Sequence, residues 1–209
     1  MAKNPGALSV NQLAPGQLIY SNQHVTCVQG KMLPYHPDSA TEQTYSGGTI
    51  FYDAASGYVL VGHQVGFTAH ETIATKLNFE CEAAEFGVSV IDYHTDNGVY
   101  KSHEFLKELH QKGQGIKFSG VSAQFQNGAA KSMIKSVVQC AHTMKLHAAL
   151  QWPSVADQTL WPLALSHTAY LHNQMPMPES GLSPMEIWSW KSDHHDLWTM
   201  HPSSEATIL

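Results

Sequence analysis

Residues 88–98, V-S-V-I-D-Y-H-T-D-N-G, predict an apolar strand at 88–93 that runs into an Asp96-Asn97-Gly98 turn. Residues 126–135, Q-N-G-A-A-K-S-M-I-K, predict the start of a long helix. A strand that presents an aspartate, and a helix whose first turns face it, can assemble paired carboxylates around a metal ion. At the helix position where a second carboxylate is expected, this chain has Lys131.

Upstream of this stretch, the pattern predicts three strands followed by a helix. The helix covers 68–86, with Thr68 able to cap its start and Gly87 ending it. The region 30–48, with Pro34 and Pro37, predicts a long surface loop. The strands are rich in β-branched and aromatic residues and cover 18–28, 49–52 and 58–64.

Downstream, the pattern predicts one more strand and four helices. Ser183-Pro184-Met185-Glu186 is a capping box with proline at the first helical position, and Pro162 fits the first turn of the helix before it. The order β-β-β-α-β-α-β-α-α, followed by the short helix from 184, indicates one α/β domain with a mixed sheet. The strand covers 116–121, and the helices cover 102–112, 126–150, 159–173 and the segment from 184.

Length and composition fit one globular domain of 209 residues. No apolar run reaches the roughly 18 residues of a membrane span, and the N-terminus has no signal-peptide core. Three widely spaced cysteines without a C-x-x-C pair indicate reduced thiols and an intracellular protein. We expect an extended N-terminal segment at 1–15, a core domain at 16–190 and a polar tail at 191–209.

The charge pattern argues against strong binding of nucleic acid. The formal net charge is −6, and all eleven basic residues are lysines. Proteins that grip nucleic acid do so largely through lysine and arginine contacts to phosphate, with arginine favoured where both oxygens of one group are bound. The sequence therefore predicts weak or absent binding of DNA.

Five motifs in one order resemble the integrase catalytic core of Ty1/copia-type retrotransposons. Together they cover about residues 16–190. The motifs are G-G-T-I-F-Y-D-A-A-S-G-Y (47–58), H-T-D-N-G-V-Y-K-S-H-E-F (94–105), S-G-V-S-A-Q-F-Q-N-G-A-A-K (119–131), L-W-P-L-A-L-S-H-T-A-Y-L-H-N (160–173) and G-L-S-P-M-E-I (181–187).

The resemblance implies a ribonuclease-H-like fold, a mixed five-stranded sheet flanked by helices. It also implies DNA cutting and joining by two Mg²⁺ ions that an acidic triad holds, since magnesium prefers anionic oxygen ligands. When the family's triad is mapped onto this sequence position by position, its second acid corresponds to Asp96. Asn22 stands at the first position and Lys131 at the third, where the family has aspartate and glutamate.

These two replacements change the charge of the site. An intact triad contributes about −3, whereas Asn22, Asp96 and Lys131 sum to zero. A lysine ammonium about 4 Å from a divalent cation repels it by on the order of 8 kcal/mol at an effective dielectric constant near 20. We therefore expect no bound metal, and an ion pair between Lys131 and Asp96 instead. Asp53, Asp92 and Glu42 are alternative acids, none of them well placed.

Other candidate residues have simpler structural explanations. His94 and Asp96 share a strand face, which predicts a polar pair rather than a metal site in the absence of a third ligand. His194-His195 predicts a solvated tail. We expect the tryptophans Trp152, Trp161, Trp188 and Trp190 to be packing groups, and the lysines Lys131, Lys135 and Lys145 to form a solvated helix face.

The sequence therefore predicts a core that has lost strand transfer and acts as a binding or structural module in a larger assembly. It leaves two alternatives open: a DNA strand-transfer enzyme with a rearranged metal site, and a nucleic-acid-binding module without catalysis. A protein partner is expected, and the resemblance makes a homodimer and a nuclear location plausible.

Overall fold

The computed structural model describes residues 13–32, 44–119, 128–178 and 180–189. Five strands form one mixed sheet in the order β3-β2-β1-β4-β5, with β1, β2 and β3 antiparallel and β4 and β5 parallel to β1. This confirms the predicted α/β architecture. The strands are β1 Leu18–Lys31, β2 Thr44–Asp53, β3 Val59–Gln64, β4 Asp92–Thr95 and β5 Gly115–Phe118.

The helices lie on both faces of this sheet. Single 3₁₀ turns occur at Val99–Lys101, Pro153–Val155 and Gln158–Leu160. Across the described ranges, no helix is long and apolar enough to cross a membrane. The helices are α1 Ala69–Glu85, α2 His103–Gln111, α3 Gly128–Gln151, α4 Trp161–Gln174 and α5 Pro184–Ser189.

The predicted starts of α1 and α5 are confirmed by their caps. Thr68 Oγ1 accepts a hydrogen bond from the Glu71 amide at the start of α1. At α5, the Ser183 amide donates to the Glu186 carboxylate at 2.7 Å, and the Glu186 amide donates to Ser183 Oγ at 3.2 Å. Both orphan amides of this reciprocal capping box are thereby satisfied.

The two faces of the sheet carry separate cores because successive strand residues point to opposite sides. Phe51 faces α1, α2 and α5, where it stacks on Phe79 with ring centroids 4.5 Å apart. Ile50, its neighbour in the chain, faces α3 and α4. The Asn22 side chain shares the face of Ile50, its partner on β2, so the candidate site lies on the α3–α4 side.

Several predicted boundaries were wrong, among them the end of the strand predicted at 116–121, which stops at Phe118. The strand expected at 88–93 begins only at Asp92, which pairs with Leu18 at the start of β1. Residues 88–91 lie alongside the segment that precedes β1, so they have no strand to pair with. The loop expected at 30–48 is shorter, because β1 continues to Lys31 and β2 begins at Thr44.

The tryptophans are only partly the packing groups that we expected. Trp161 and Trp188 are buried in the two cores. Trp152 is 63% exposed, because it follows the last turn of α3, where the helix extends past its contacts with the core. Trp190, residues 1–12 and the tail at 191–209 lie outside the described residues.

Candidate functional site

The sheet brings together the two strands, β1 and β4, that lead to two of the three triad positions. Tyr20 on β1 pairs with His94 on the parallel strand β4. Asp96 comes directly after β4, which ends at Thr95, so the same register continued by two residues leads toward Asn22. Asn22 also pairs with Ile50 on β2. We call Ile50, Asn22 and Asp96 the Asn22 row.

Asp96 helps to form the turn that follows β4. Its Oδ1 accepts a hydrogen bond from the Gly98 amide at 3.2 Å, and Asn97 Nδ2 donates to the Ser119 carbonyl at 3.3 Å. Aspartate and asparagine commonly close turns in this way. The turn chemistry predicted for Asn97-Gly98 is confirmed, and Asp96 has a structural function of its own.

Lys131 lies in the first turns of α3, with its side chain exposed. The ion pair predicted between Lys131 and Asp96 is not among those that the described residues form within 4.0 Å. An exposed ammonium gains little from such a pair and stays hydrated. Lys135 is exposed as predicted, whereas Lys145 donates a hydrogen bond to the Gln158 carbonyl at 2.7 Å.

His94 is buried beside the Asn22 row. Its Nε2 lies 3.2 Å from Ser119 Oγ, so a hydroxyl takes the place of the polar partner that we expected in Asp96. Burial lowers the pKa of His94, and the charges of Lys117 and Lys131 lower it further. The imidazole therefore lies in a positive field that comes from both lysines.

Three rings form a second row next to the Asn22 row. Tyr52, Tyr20 and His94 are paired across β2, β1 and β4, and Lys117 continues the row on β5. The Tyr20 ring centroid lies 6.2 Å from that of Tyr52 and 5.2 Å from that of His94. We call Tyr52, Tyr20 and His94 the ring row.

The ring row was not predicted from the sequence, although the sequence contains a signal for it. Tyr20 and His94 each precede a triad position by two residues, so the period of a strand puts them on the same face. Only the register between strands shows that the two rings are neighbours.

A half-buried histidine pair lies on the other side of the Asn22 row. His24 and His63 are both paired with Gly48, and the ring of each meets the edge of Trp161, at 5.4 and 5.6 Å. His63 Nε2 lies 2.8 Å from Ser166 Oγ. Within the described ranges, His63 Nδ1 and both ring nitrogens of His24 have no hydrogen-bond partner.

Burial of these two rings lowers the pKa of both histidines to about 4. For His63, the neighbouring His24 lowers the pKa further, and the Pro162 backbone partly opposes the shift. For His24, the Gly48 backbone opposes the shift, although its geometry falls short of a hydrogen bond. Both rings are therefore neutral at pH 7.

The alternative acids do not complete a metal site. Asp53 is buried in its own turn and accepts hydrogen bonds from the amides of Gly16, Ala55 and Ser56 and from Ser56 Oγ. Asp92 lies 4.0 Å from Lys117 Nζ. Glu42 and His194-His195 lie outside the described residues.

The donor set of the Asn22 row does not fit a pair of magnesium ions. It offers one carboxylate, already engaged by the Gly98 amide, together with one carboxamide. In the part of the chain that the structure describes, no three His, Cys, Asp or Glu residues are grouped to hold a metal ion. Magnesium sites need several oxygen ligands with negative charge, and a nearby ammonium opposes them.

Comparison with solved structures identifies the fold. The chain is similar to the HTLV-2 integrase catalytic core domain in complex with magnesium. For the trimeric form, the TM-score is 0.55 at 18% identity, covering 84% of this chain and 97% of that one. For the dimeric form, the TM-score is 0.54 at 17% identity, with 84% and 98% covered.

A third similar structure is the simian T-cell lymphotropic virus intasome in complex with the PP2A regulatory subunit B56 gamma. It has a TM-score of 0.58 at 17% identity, covering 85% of this chain and 56% of that chain. No protein-family model and no curated protein matches the sequence. At these identities the similarity shows the fold, and the predicted ribonuclease-H-like, integrase-core architecture is confirmed.

Proposed function

We propose that this protein is an integrase-like core of the Ty1/copia type that has lost strand transfer and acts as a structural or binding module in a larger assembly. The Asn22 row is the observation that supports the proposal most directly. β1 carries Asn22 and the adjacent parallel strand β4 leads directly into Asp96, yet the row offers a single carboxylate. We infer that such a row carries too little negative charge to hold a pair of metal ions.

Electrostatics supports the same conclusion. Lys131 is close enough to His94 to lower the pKa of that imidazole, and Lys117 acts in the same direction. A cation that enters the Asn22 row meets this positive field with only Asp96 to offset it. The resulting repulsion opposes binding of Mg²⁺ at millimolar concentrations.

An exposed apolar stripe on α4 supports the assembly part of the proposal. Leu163, His167 and Tyr170 follow helical spacing, and Leu163 and Tyr170 are 41% and 52% exposed. Leu171 and Met175 extend this apolar surface, which we call the α4 stripe. Apolar stripes of this kind commonly mark protein–protein contacts. A second copy of the chain is one candidate partner, as in the dimeric and trimeric integrase cores.

Restoring the acids tests the proposal. We expect the wild-type protein to bind no Mg²⁺ or Mn²⁺ in calorimetry and to show no nicking or strand transfer on DNA ends. The double variant Asn22→Asp, Lys131→Glu should bind divalent metal through the restored carboxylates. A matched control, Asn22→Asp with Lys135→Glu, makes the same charge change one turn further along α3 and should not bind it.

Activity of the wild-type protein would refute the proposal if Asp96→Ala abolished it. That result would establish the alternative of a DNA strand-transfer enzyme with a rearranged metal site. Metal-free binding of duplex DNA that weakens steeply with salt would instead favour a nucleic-acid-binding module.

A further inference from the structure

We infer that the first half of α4, residues 161–167, is released from the sheet in acid, when His63 on β3 becomes protonated, while the second half of the helix stays in place. His63 contacts this half of the helix through Ser166 and Trp161. The α4 stripe begins on the same half, so acid changes the surface that the proposed function assigns to a partner. That consequence rests on the proposed function, whereas the release itself does not.

The His63 ring lies between β3 and α4, where it has a single hydrogen-bond partner. Its Nε2 lies 2.8 Å from Ser166 Oγ, and its Nδ1 is buried without a partner among the described residues. The ring also meets the edge of Trp161, with centroids 5.6 Å apart. Protonation puts an N–H on both ring nitrogens, and the one on Nδ1 has no acceptor there. A charged ring is therefore costly for as long as α4 covers it.

The groups around His63 do not offset a positive charge. Its neighbours are His24 on β1, where a second positive charge would repel the first, and Tyr45 on β2, with ring centroids 5.5 Å apart. Asp157, on the 3₁₀ turn before α4, is already paired with Lys31 at 3.3 Å. In the part of the chain that the structure describes, His63 forms no ion pair within 4.0 Å. Release of α4 lets water solvate the charge instead.

The pKa of His63 supports this geometric argument. Burial, and to a smaller extent the charge of His24, lower the pKa to about 4 while α4 covers the ring. A solvated imidazole has a pKa of about 6.5, so the released state binds the proton more tightly. The contact is complete above about pH 6.5, and it weakens as the pH falls from there toward 4.

The second half of α4 is held by contacts that acid does not break. Asn173 binds both backbone groups of Val59, and His172 Nε2 lies 3.0 Å from the Gly57 carbonyl. A carboxamide does not titrate in this range, and a histidine can donate to a carbonyl whether it is neutral or charged. Protonation of His63 therefore acts on one half of the helix.

At neutral pH the release stays rare. Trp161 and Leu165 are buried in the core on this face of the sheet, and Trp161 Nε1 donates to the Val28 carbonyl at 2.9 Å. Acid weakens only the His63 part of this attachment. We therefore expect a larger population of the released state in acid, and not a complete conversion.

Amide hydrogen exchange of the full chain at pH 7 and pH 5 tests the inference. The readout is the protection factor, which corrects for the intrinsic effect of pH on exchange. Protection at residues 165–168 should fall at least tenfold from pH 7 to pH 5, whereas residues 172–174 and α1 should change less than threefold. His63→Gln does not titrate and should lose most of this fall. The matched control His142→Gln changes an exposed histidine on α3 and should keep it.

Ser166→Asp provides a second test, because it gives a protonated His63 a carboxylate partner on α4. Protection at residues 165–168 should then be retained at pH 5, which a merely structural contact would not cause. The inference is overturned if wild-type protection does not fall in acid, if it falls equally in α1, or if either His63→Gln or Ser166→Asp leaves the fall unchanged. Nicking assays on the wild-type protein report on the proposed function separately.

Discussion

Asn173 on α4 binds both backbone groups of Val59 on β3, 114 positions earlier in the chain. Its Oδ1 accepts from the Val59 amide at 2.9 Å, and its Nδ2 donates to the Val59 carbonyl at 2.7 Å. Since β3 is an edge strand, these groups would otherwise lack a strand partner. The Asn173 side chain thus supplies the two hydrogen bonds that a sixth strand would make at this position.

Replacing this carboxamide should destabilise the protein strongly. In Asn173→Leu, both Val59 groups lose their partner while they remain buried, at a cost of about 1–3 kcal/mol each. We expect the free energy of unfolding in urea to fall by about 3 kcal/mol. The adjacent Gln174→Leu makes a similar change on the same helix turn and should cost less than about 1 kcal/mol. Equal effects of the two variants would contradict this function of Asn173.

Lys76 forms the centre of a buried charge network. Its side chain is 1% exposed, and its Nζ lies 2.7 Å from Glu80 and 2.6 Å from Glu108. Lys76→Met leaves Lys112, which is 40% exposed, as the remaining cation beside both carboxylates, so we expect unfolding to become easier by about 3 kcal/mol. The control Lys107→Met removes an exposed lysine from α2 and should have little effect in the same chemical denaturation experiment.

Acid should destabilise the protein through the half-buried pair His24 and His63. Since the pKa values of His24 and His63 lie at about 4, below the 6.5 expected in the unfolded chain, the unfolded state binds more protons between pH 4 and 6.5. Stability is complete above pH 6.5 and falls as the pH decreases through this window, by up to about 3 kcal/mol per histidine.

The measurement is the urea midpoint as a function of pH. The double variant His24→Gln, His63→Gln should have a flatter profile between pH 4 and 6.5. His142→Gln changes an exposed histidine on α3 and is the matched control. A double variant that keeps the wild-type slope would show that other groups cause the acid sensitivity.

Gly30 should tolerate no side chain, because Trp161 occupies the space. A Cβ at Gly30 would lie 2.4 Å from the indole ring, which is fixed by its hydrogen bond to the Val28 carbonyl at 2.9 Å. We expect Gly30→Ala to cost about 1–3 kcal/mol in thermal or urea unfolding. In a Trp161→Leu background this cost should shrink without vanishing, because a Cβ would still lie 2.5 Å from Pro162 Cγ. An additive double variant would count against the steric explanation.

The predictions from sequence were most successful where a local pattern determines the structure. The caps at Thr68 and Ser183 were found because their side chains bond to amides only a few residues away. The boundary of β4 was missed because it depends on where β1 begins. The residues at 88–91 do not themselves indicate that position.

The candidate site was predicted only in part, because sequence motifs indicate single residues and not which strands are neighbours. Motif order placed Asn22, Asp96 and Lys131, but the ring row and the histidine pair depend on strand register. The ion pair between Lys131 and Asp96 was expected from charge alone. Charge alone could not indicate that the Asp96 carboxylate accepts a hydrogen bond from the Gly98 amide, or that the Lys131 side chain is exposed.

The charge network around Lys76 also affects how cooperatively the chain folds. It joins α1 to α2 through Glu80 and Glu108, and Gln114 and Tyr93 bind the same Glu80 carboxylate from the start of β5 and from β4. An intermediate with only some of these elements in place would bury an ammonium or a carboxylate without its partners. The network therefore disfavours partly assembled states and makes docking of both helices onto the sheet an all-or-none event.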